Sequence, residues 1–493
     1  PPASGHCSGS PPPNSRRSGR RGATNPSRAL PDARRRAAGL AASAWGVVVF
    51  LTDCLPPRVR YGYVHRLTAA VLRRPLPTLR AAADAPEPPS PAPASRAASE
   101  TGSGTDRGAP TVCLLAADGL DVGGIGTVIE MLARGLDRYE VRPIVLCRGD
   151  GERAARLRST GIDVVSVGDE AEASAAIARL SPDVAQSHSA SPFIERALLA
   201  SGVPLIPVMH NTEIHYTPAR WREFSALAAG SVAAIAVSAT VRDFHLQRAD
   251  IRVPVTVVPN GAPTVARPTA QERAAARTAL SLAIEHDLGD AIVFVSLARY
   301  DAQKNYAGLV AAIAPALADT TPPVHLICAG DASDRVEVRR TDALRRSGPA
   351  ADRIHLLGNS DARTLLSAAD AFVLDSFFEG WPVAATEAMA FGHPVLLSDV
   401  GGARELVERD AGRSVLIANA TGAADAVSDG RVRAARRRSR RQSNAAELRE
   451  GVRRIAATVL RERSGGAAAT GAADDERSGV EAMLAGHAAV IRA

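Results

Sequence analysis

The chain has 493 residues, of which 46% are apolar, and it carries a formal net charge of +7 at pH 7. The length predicts two or three domains. The charge is uneven, because residues 1–108 hold 16 Arg against six acidic residues and the remainder is slightly acidic, which excludes a uniformly basic nucleic-acid-binding body. The five Cys show no CxxC or Cys/His spacing, which argues against a zinc site or a disulfide framework and favours reduced thiols in the cytoplasm.

Residues 1–108 are predicted to be a disordered extension rich in Pro, Ser and Arg. Within it, residues 37–52 are uncharged and follow three Arg, so they could form a signal or membrane anchor. Their short length and their Ala and Gly content favour a disordered or weakly helical extension instead. Residues 67–83 are basic and contain Leu, and this stretch could lie on an anionic membrane surface.

From residue 111 onward, apolar segments of strand length alternate with Ala-rich helical segments. The strand segments are residues 111–117, 142–147, 161–167, 182–187, 203–209, 232–238 and 253–259 in the first half, and 291–297, 323–330, 353–358, 371–376, 394–398 and 414–418 in the second. This alternation predicts an α/β fold of two Rossmann-like, doubly wound domains that face each other across a cleft. The expected domains are residues 109–265 and 266–420, followed by an Arg-rich polar segment and a C-terminal helix in residues 421–493.

Several strands of the first half end in candidate ligand-binding residues. Gly123 and Gly124 lie between a strand and a helix, where backbone amides could approach an anion, although tight turns also use glycine for geometry alone. His210 ends its strand and could hydrogen-bond a sugar hydroxyl or orient an acceptor, or it could simply stabilise the loop. Asn260 with the following glycine indicates a turn at the inter-domain connection. His188 and His215 occupy similar positions and are weaker candidates.

Arg299 and Lys304 follow the first strand of the second half. Lys304 is the only lysine among the 59 cationic residues, which suggests that a compact ammonium group is needed there. Cations at the carboxyl end of a parallel strand point into the cleft, where the two side chains could neutralise a diphosphate. The alternative is a solvated charged loop.

Residues 371–407 predict a strand, a short loop, a helix and a second strand, with Pro382 at the first helical position and Gly392 after the last. Glu379 lies in the loop and Glu387 about one turn into the helix, so both carboxylates face the space above the helix N-terminus. An anion such as phosphate would bind there, and carboxylates beside it would contact hydroxyl groups. A ligand with phosphates and many hydroxyls, such as a nucleotide-sugar, is indicated.

Two further motifs follow this unit. Gly401 and Gly402 again lie between a strand and a helix. Residues 431–441 hold seven Arg and no acidic residue, which predicts solvated disorder, with attachment to nucleic acid or anionic lipid as the alternative.

Together these motifs resemble the retaining glycosyltransferases of family 4, which have the GT-B fold. The resemblance covers roughly residues 110–420. It rests on the E-x7-E element in FFEGWPVAATEAMAFGHPV, on GGIGT and PNG in the first half, on the Arg299 and Lys304 pair, and on SDVGGARELV. The family often has EGFG after the first Glu, whereas this chain has EGWP, so the identity of the sugar does not follow.

The resemblance implies roles for the acidic and basic residues. Glu379 would contact hydroxyls of the donor sugar, and Glu387 would contact the ribose of the nucleotide. Arg299 and Lys304 would bind the donor diphosphate. The family mechanism is retaining, and the leaving phosphate takes the acceptor proton, so Glu379 is expected to position the sugar rather than attack it.

The remaining implied residues surround the donor. The loop of Gly123 and Gly124 would close over the diphosphate, and His210 would lie near the donor sugar. The backbone amides of Gly380 and Trp381, after the first Glu, could also serve the donor, and Asn260 marks the hinge beside it. No metal and no cofactor are expected.

The predicted function is transfer of a hexose-type sugar from a nucleotide-diphosphate sugar to a glycan, glycolipid or small metabolite, with retention of configuration. The alternatives are a nucleotide-sugar epimerase or phosphorylase on the same scaffold, or an inactive nucleotide-binding scaffold. We expect a cytoplasmic protein without a nucleic-acid partner. Peripheral contact with the inner face of an anionic membrane is a further option.

Overall fold

The computed structural model describes residues 29–55, 75–80, 109–120, 123–262, 266–410, 412–465 and 477–493, and structural statements below refer to these. The first half is built on a parallel sheet of seven strands in the order β3-β2-β1-β4-β5-β6-β7. The strands are β1 (Thr111–Ala117), β2 (Val141–Arg148), β3 (Val164–Val167), β4 (Val184–His188), β5 (Leu205–Met209), β6 (Ala234–Ala236) and β7 (Val255–Val257).

The second half is built on a parallel sheet of six strands in the order β10-β9-β8-β11-β12-β13. These strands are β8 (Ile292–Leu297), β9 (Val324–Ala329), β10 (Ile354–Leu357), β11 (Ala371–Leu374), β12 (Val395–Ser398) and β13 (Val415–Ile417). Every predicted strand is present. Central strands such as β4, β5, β9 and β11 are buried at every position, as expected for parallel strands covered by helices on both faces.

Helices connect successive strands of both sheets. Those of the first half are α2 (Gly123–Gly135), α3 (Glu152–Ser159), α4 (Glu170–Leu180), α5 (Pro192–Ser201), α6 (Pro218–Ala229) and α7 (Ala239–Leu246), preceded in the chain by α1 (Ala29–Asp53). Those of the second half are α8 (Ala270–Ala283), α9 (Tyr306–Ala318), α10 (Arg335–Ser347), α11 (Ala362–Ala368), α12 (Val383–Ala390) and α13 (Ala403–Glu408).

Helix α12, which carries Glu387, differs from the expectation by one residue at its start. Pro382 is the N-cap rather than the first helical residue, and its fixed φ suits either place. At the other end Gly392 has a φ of +82°, which is the left-handed conformation predicted for the residue after the helix. A loop and α12 therefore connect the buried strands β11 and β12, and this short connection carries both Glu379 and Glu387.

The C-terminal residues contribute to both halves. They form α14 (Asp429–Arg437), α15 (Ala445–Gly465) and α16 (Arg477–Ile491). Leu448, Val452 and Ile455 of α15 are part of the hydrophobic core of the second half. Met483 and Leu484 of α16 are buried in the core of the first half, so the chain crosses back and the predicted C-terminal helix docks there.

Most of the predicted N-terminal extension lies outside the described residues, including most of the basic stretch 67–83. Two parts of it are described, and both pack on the second half. Residues 75–80 contribute Leu79, which is 5% exposed and lies in a core cluster with residues of β8 and β9. Helix α1 packs against α10 and α14 through its buried residues Ala42 and Val49.

The Arg-rich run at residues 431–441 is helical over much of its length, so the prediction of solvated disorder is wrong. Arg436 is 4% exposed and forms ion pairs with Asp53 of α1 and Glu337 of α10. Burial disfavours the charged form of Glu337, but the guanidinium groups of Arg436 and Arg340 outweigh it and hold the pKa of Glu337 below its usual value. The sequence pattern missed this cluster because its acids lie about 100 and 380 residues away.

We predict that Arg436→Met lowers the free energy of unfolding by roughly 3–5 kcal/mol, because Asp53 and Glu337 would stay buried without their shared cation. Urea denaturation followed by circular dichroism measures the change. The matched control is Arg453→Met, whose ion pair with Glu450 is exposed and should contribute less than about 1 kcal/mol. Similar small effects of both substitutions would contradict a structural role for the Arg-rich run.

Candidate functional site

A cavity of about 460 Å³ lies between the two halves, where the carboxyl ends of the strands face each other. This edge of an open α/β sheet is where ligands usually bind. Apart from the weaker candidates His188 and His215, all ten site residues predicted from the sequence line the cavity: Gly123, Gly124, His210, Asn260, Arg299, Lys304, Glu379, Gly380, Trp381 and Glu387. Residues from four strand ends and two helix starts, up to 264 positions apart in the chain, thus meet at one place.

An ion pair forms the floor of the cavity on the side of the second half. Lys304 Nζ lies 2.5 Å from Glu379 Oε1, and both side chains are largely buried. Gln303 Nε2 donates to the backbone oxygen of Phe378 at 2.9 Å and lies 3.4 Å from Glu379 Oε2. The loop after β8 and the loop after β11 are therefore joined through their charged and polar side chains.

Asp375, directly after β11, holds these two loops from behind and was not singled out from the sequence. Its carboxylate accepts hydrogen bonds from the side-chain amides of Asn305 at 2.8 Å, Gln442 at 2.8 Å and Asn444 at 2.9 Å. Complete burial raises the pKa of Asp375 to about 7, against the lowering effect of the three amides. A single Asp after a strand gives no warning of this role, because its amide partners come from distant segments.

Gly380 is the point at which the two halves touch beside the cavity. A Cβ atom at this position would lie 1.7 Å from the backbone oxygen of His210, so only glycine fits. Ser238 Oγ of the first half donates to the backbone oxygen of Gly380 at 3.2 Å. The backbone after Glu379 is consequently fixed against the opposite domain.

Trp381 lines the cavity mainly as a buried structural residue. It is 5% exposed, its indole N–H donates to Thr386 Oγ1 at 2.8 Å, and its ring packs on Gly402, where a Cβ would lie 2.0 Å from the ring. The second glycine pair, Gly401 and Gly402, thus makes room for the indole and for the backbone of Gly380. The indole N–H is already used, which leaves the backbone of Trp381 as its means of contacting a ligand.

Glu387 projects from α12 into the cavity. Burial raises its pKa to about 7, and the positive charge of Arg153 from the first half acts in the opposite direction. The carboxyl group is therefore close to half-ionised at neutral pH. A pair of hydroxyl donors would favour its charged form.

Gly123 and Gly124 begin α2 on the other side of the cavity. Gly123 has a φ of +79°, which suits glycine, and a Cβ on Gly124 would lie 3.2 Å from Val383 Cγ2 at the start of α12. The N-termini of α2 and α12 therefore meet across the cavity. Both direct the positive ends of their helix dipoles to the same space, which favours an anion. At the start of α12, the N–H groups of Val383 and Ala385 already donate to the backbone oxygens of Trp381 and Pro382.

Arg299 and Asn260 complete the lining. The Arg299 side chain is 45% exposed and forms an ion pair with Asp301 at 3.1 Å, so its guanidinium group is less confined than the ammonium of Lys304. Asn260 is 4% exposed, and its Oδ1 accepts no hydrogen bond from the described part of the chain. The following glycine packs against the backbone of Gly479 and Val480 of α16, so the connection between the halves is held by the returning helix.

His210 is tied to a buried row of polar side chains in the first half. His210 Nε2 lies 2.9 Å from His188 Nδ1, and His188 Nε2 lies 3.2 Å from Gln186 Oε1. His487 of α16 approaches the same oxygen through Nδ1 at 3.0 Å. The weaker candidate His188 is therefore a partner of His210, whereas His215 packs edge-on against Phe378 and does not line the cavity.

The donor and acceptor roles of the histidines in this row follow from Gln186, which lies at its end. Because Gln186 Oε1 is an acceptor, His188 must donate from Nε2, which makes its Nδ1 the acceptor. His210 then donates from Nε2 and keeps Nδ1 as an acceptor. Burial lowers the pKa of His210 to about 4, and burial together with the neighbouring histidines also lowers the pKa of His188 well below its ordinary value.

Two family models match consecutive parts of the chain. One, for Glycosyltransferase Family 4, matches residues 122–265, and the other, for Glycosyl transferases group 1, matches residues 289–430. Together they cover more than half of the chain, including β2 to β7 of the first sheet and all six strands of the second. No curated protein matches the sequence significantly.

Solved structures with the same two-domain arrangement are similar in fold. HepE of Anabaena in complex with UDP-glucose is 19% identical, with a TM-score of 0.53 over 71% of this chain and 99% of that one. Sucrose-phosphate synthase of Thermosynechococcus elongatus is 16% identical, with a TM-score of 0.57 over 78% of this chain and 98% of that one. A mutant of TarM from S. aureus, in complex with Fondaparinux, alpha-GlcNAc-glycerol and UDP, is 10% identical, with a TM-score of 0.54 over 78% and 100%. The predicted GT-B fold is confirmed.

We predict that His188 and His210 stay neutral from about pH 8 to about pH 5, because an unfolded histidine titrates near pH 6.5 and burial lowers both values in the folded chain. Nitrogen-15 NMR of labelled imidazole rings measures this directly and should find the proton of His210 on Nε2. The same shift means that the pair's contribution to stability is complete above about pH 6.5 and is lost as the pH falls toward 4. Titration of either ring near pH 6.5 in the folded chain would contradict the described row.

Proposed function

We propose that the two halves of this chain, which match the models for Glycosyltransferase Family 4 and Glycosyl transferases group 1, together transfer a hexose-type sugar from a nucleotide-diphosphate sugar to an acceptor, with retention of configuration. The observation that carries the proposal is the ion pair of Lys304 and Glu379 at the floor of a cavity that also receives two helix N-termini.

The diphosphate would lie between the starts of α2 and α12. The positive ends of the two helix dipoles favour an anion there, and Lys304 adds a full positive charge from the floor. A largely buried ammonium group that already has a carboxylate partner needs little rearrangement to contact a phosphate oxygen. The charge that develops on the leaving diphosphate is then stabilised by groups that are in place before the reaction.

The sugar and the ribose would be held by the two carboxylates. Glu379 extends from the loop beside Lys304 and can accept hydrogen bonds from sugar hydroxyls. Glu387 lies one turn into α12 and can accept from the two hydroxyls of a ribose. His210, with Nδ1 as its acceptor nitrogen, would add a third acceptor near the sugar.

The contacts of Glu379 argue against a covalent intermediate on its carboxylate. Its carboxylate is paired with Lys304 and lies near Gln303 Nε2, which makes it a weak nucleophile. We therefore propose that the bond from the anomeric carbon to the phosphate oxygen breaks while the acceptor oxygen bonds to the same face. The acceptor proton passes to the departing phosphate oxygen, so that no protein base is needed.

The donor is proposed to be a UDP-sugar, because UDP or UDP-glucose is bound in structures of the same fold. The acceptor would enter from the first half, past His210 and the glycine loop, and a carbohydrate, a glycolipid or a small hydroxylated metabolite would fit. Among the described helices, none is long and apolar enough to cross a membrane.

We predict that one nucleotide-sugar among the UDP, GDP and ADP series raises the melting temperature of the chain and is the donor for transfer. With that donor, Lys304→Ala and Glu379→Gln should each lower kcat/KM by about 100-fold or more, because each removes a group that contacts the reacting diphosphate or sugar. Product formation with a panel of glycosides and glycolipids measures transfer, and NMR of the new linkage reports its configuration.

The matched controls are Arg453→Ala and Glu450→Gln, which alter an exposed ion pair of the same charge type far from the cavity lining. Both should turn over at the rate of the unmodified chain. Near-normal transfer by both site variants would refute the assignment. Conversion of the nucleotide-sugar without any acceptor would indicate an epimerase, and dependence on free phosphate would indicate a phosphorylase.

We predict that binding of the donor weakens as the pH falls from about 8 to about 6. Glu387, with a pKa of about 7, must be ionised to accept two ribose hydroxyls, and at pH 6 only about one molecule in ten is ionised. The dissociation constant should therefore rise roughly tenfold across this range. Calorimetry with an intact nucleotide-sugar measures it, since the esterified diphosphate does not titrate there.

Glu387→Gln is the control for this pH dependence. The amide cannot ionise, so this variant should bind more weakly at pH 8 and show an almost flat profile. The same pH dependence in the variant and in the unmodified chain would assign the titration to another group.

A further inference from the structure

Helix α1 is apolar on opposite faces, although only one of them is covered. Its inner face contributes Ala42 and Val49 to the contact with α10 and α14, and its last residue, Asp53, is buried against Arg436. A helix that is apolar all round normally lies inside a protein or a membrane. The outer face therefore requires an explanation of its own.

The outer face carries a continuous apolar stripe. Leu40, Val47 and Leu51 are 74%, 60% and 61% exposed, and their spacing of seven and four residues places them on one side of a helix. Ala37 and Ala44, both exposed, fill the positions between them. In the described part of the chain, nine large apolar residues are strongly exposed. Five of them belong to α1 or follow it directly. We name this surface, residues 37, 40, 44, 47 and 51, the α1 stripe.

Arginines border the α1 stripe on two sides. Exposed arginines occupy positions 34–36 at the start of α1 and positions 437, 438, 440 and 441 beside it. The Arg437 guanidinium group lies 4.5 Å from the centre of the Phe50 ring, and Arg440 donates to the backbone oxygen of Gly39 at 3.0 Å. Asp53, the last residue of α1, is fully buried and lies away from the α1 stripe.

We propose that the α1 stripe inserts into the surface of an anionic membrane, with α1 lying in the plane of the interface. An apolar stripe sinks to the boundary of the acyl chains while flanking cations contact anionic headgroups, which is the arrangement of interfacial helices. Helix α1 then lies between the membrane and the helices α10 and α14 of the second half, and the buried ion pairs of Arg436 fasten α1 to that half.

Two other candidates could cover the α1 stripe, a second copy of the chain or residues 56–74. The positive charge around the stripe favours a membrane over both. In a symmetric dimer through this face, the seven exposed arginines of one copy would lie opposite those of the other. Residues 56–74, which follow α1, contain five Arg and no acidic residue. They are therefore positively charged, like the surface that they would have to cover. An anionic lipid surface supplies the opposite charge and an apolar layer together.

Co-sedimentation of the full chain with vesicles tests the proposal. We predict binding to vesicles of equal parts phosphatidylcholine and phosphatidylglycerol, and much weaker binding to phosphatidylcholine alone. The combined variant Leu40→Ser, Val47→Ser and Leu51→Ser should bind the anionic vesicles at least about tenfold more weakly, because it removes the apolar stripe and keeps every charge.

A matched control carries Val232→Ser and Leu282→Ser, which are 56% and 75% exposed on other surfaces, and it should bind like the unmodified chain. A second variant, Arg438→Gln with Arg441→Gln, should weaken binding to anionic vesicles and leave the weak binding to phosphatidylcholine unchanged. Equal melting temperatures of all variants would show that α1 remains docked.

Three outcomes would overturn the proposal. One is that the unmodified chain fails to bind anionic vesicles, which would follow if residues 56–74 cover the stripe. Another is that the serine variant binds as tightly as the unmodified chain. The third is that the unmodified chain is a dimer without vesicles and the serine variant is a monomer, which would make a second copy the occupant. Light scattering after size-exclusion chromatography distinguishes the last case.

Discussion

The contact between Lys304 and Glu379 is the interaction on which the site depends. It joins a loop after β8 to a loop after β11, two neighbouring strands of the second sheet, at the edge where the first half approaches. Asp375 fixes both loops from behind through amides that come from α9 and from the segment before α15. An ion pair so placed is costly to desolvate, and the surrounding hydrogen bonds keep it in one geometry. A ligand that binds over it meets charges already oriented.

The fold and the lining of the cavity could be predicted because their signals are local. Apolar segments bounded by glycine and proline define each strand, and parallel strands bring their carboxyl ends to one edge, so residues after several strands must meet. The single lysine in an arginine-rich chain singled out position 304. The sequence could not show which of these side chains are already used in packing and hydrogen bonds within the protein. The indole of Trp381 is used to pack on Gly402, and His210 is held by His188, which in turn depends on Gln186.

The arginines show the same limit. Composition cannot distinguish a solvated arginine from a buried one, because the difference lies in the counter-charges. Arg436 is buried because Asp53 and Glu337 reach it from two distant segments of the chain, whereas Arg438 and Arg441, two to five positions later, stay exposed. One short run therefore performs two tasks. Its buried member fastens α1 to the second half, and its exposed members supply the positive border of the α1 stripe.

The returning helix α16 connects these properties to the first half. It buries Met483 and Leu484 beneath β1 and places His487 on the oxygen that orients His188. It also packs against the backbone beside Asn260, where the chain passes between the halves. A movement of one half relative to the other must therefore either carry α16 with the first half or disturb the row that ends at His210. The first is the lower-energy course, because the buried core contacts of α16 all lie on that side.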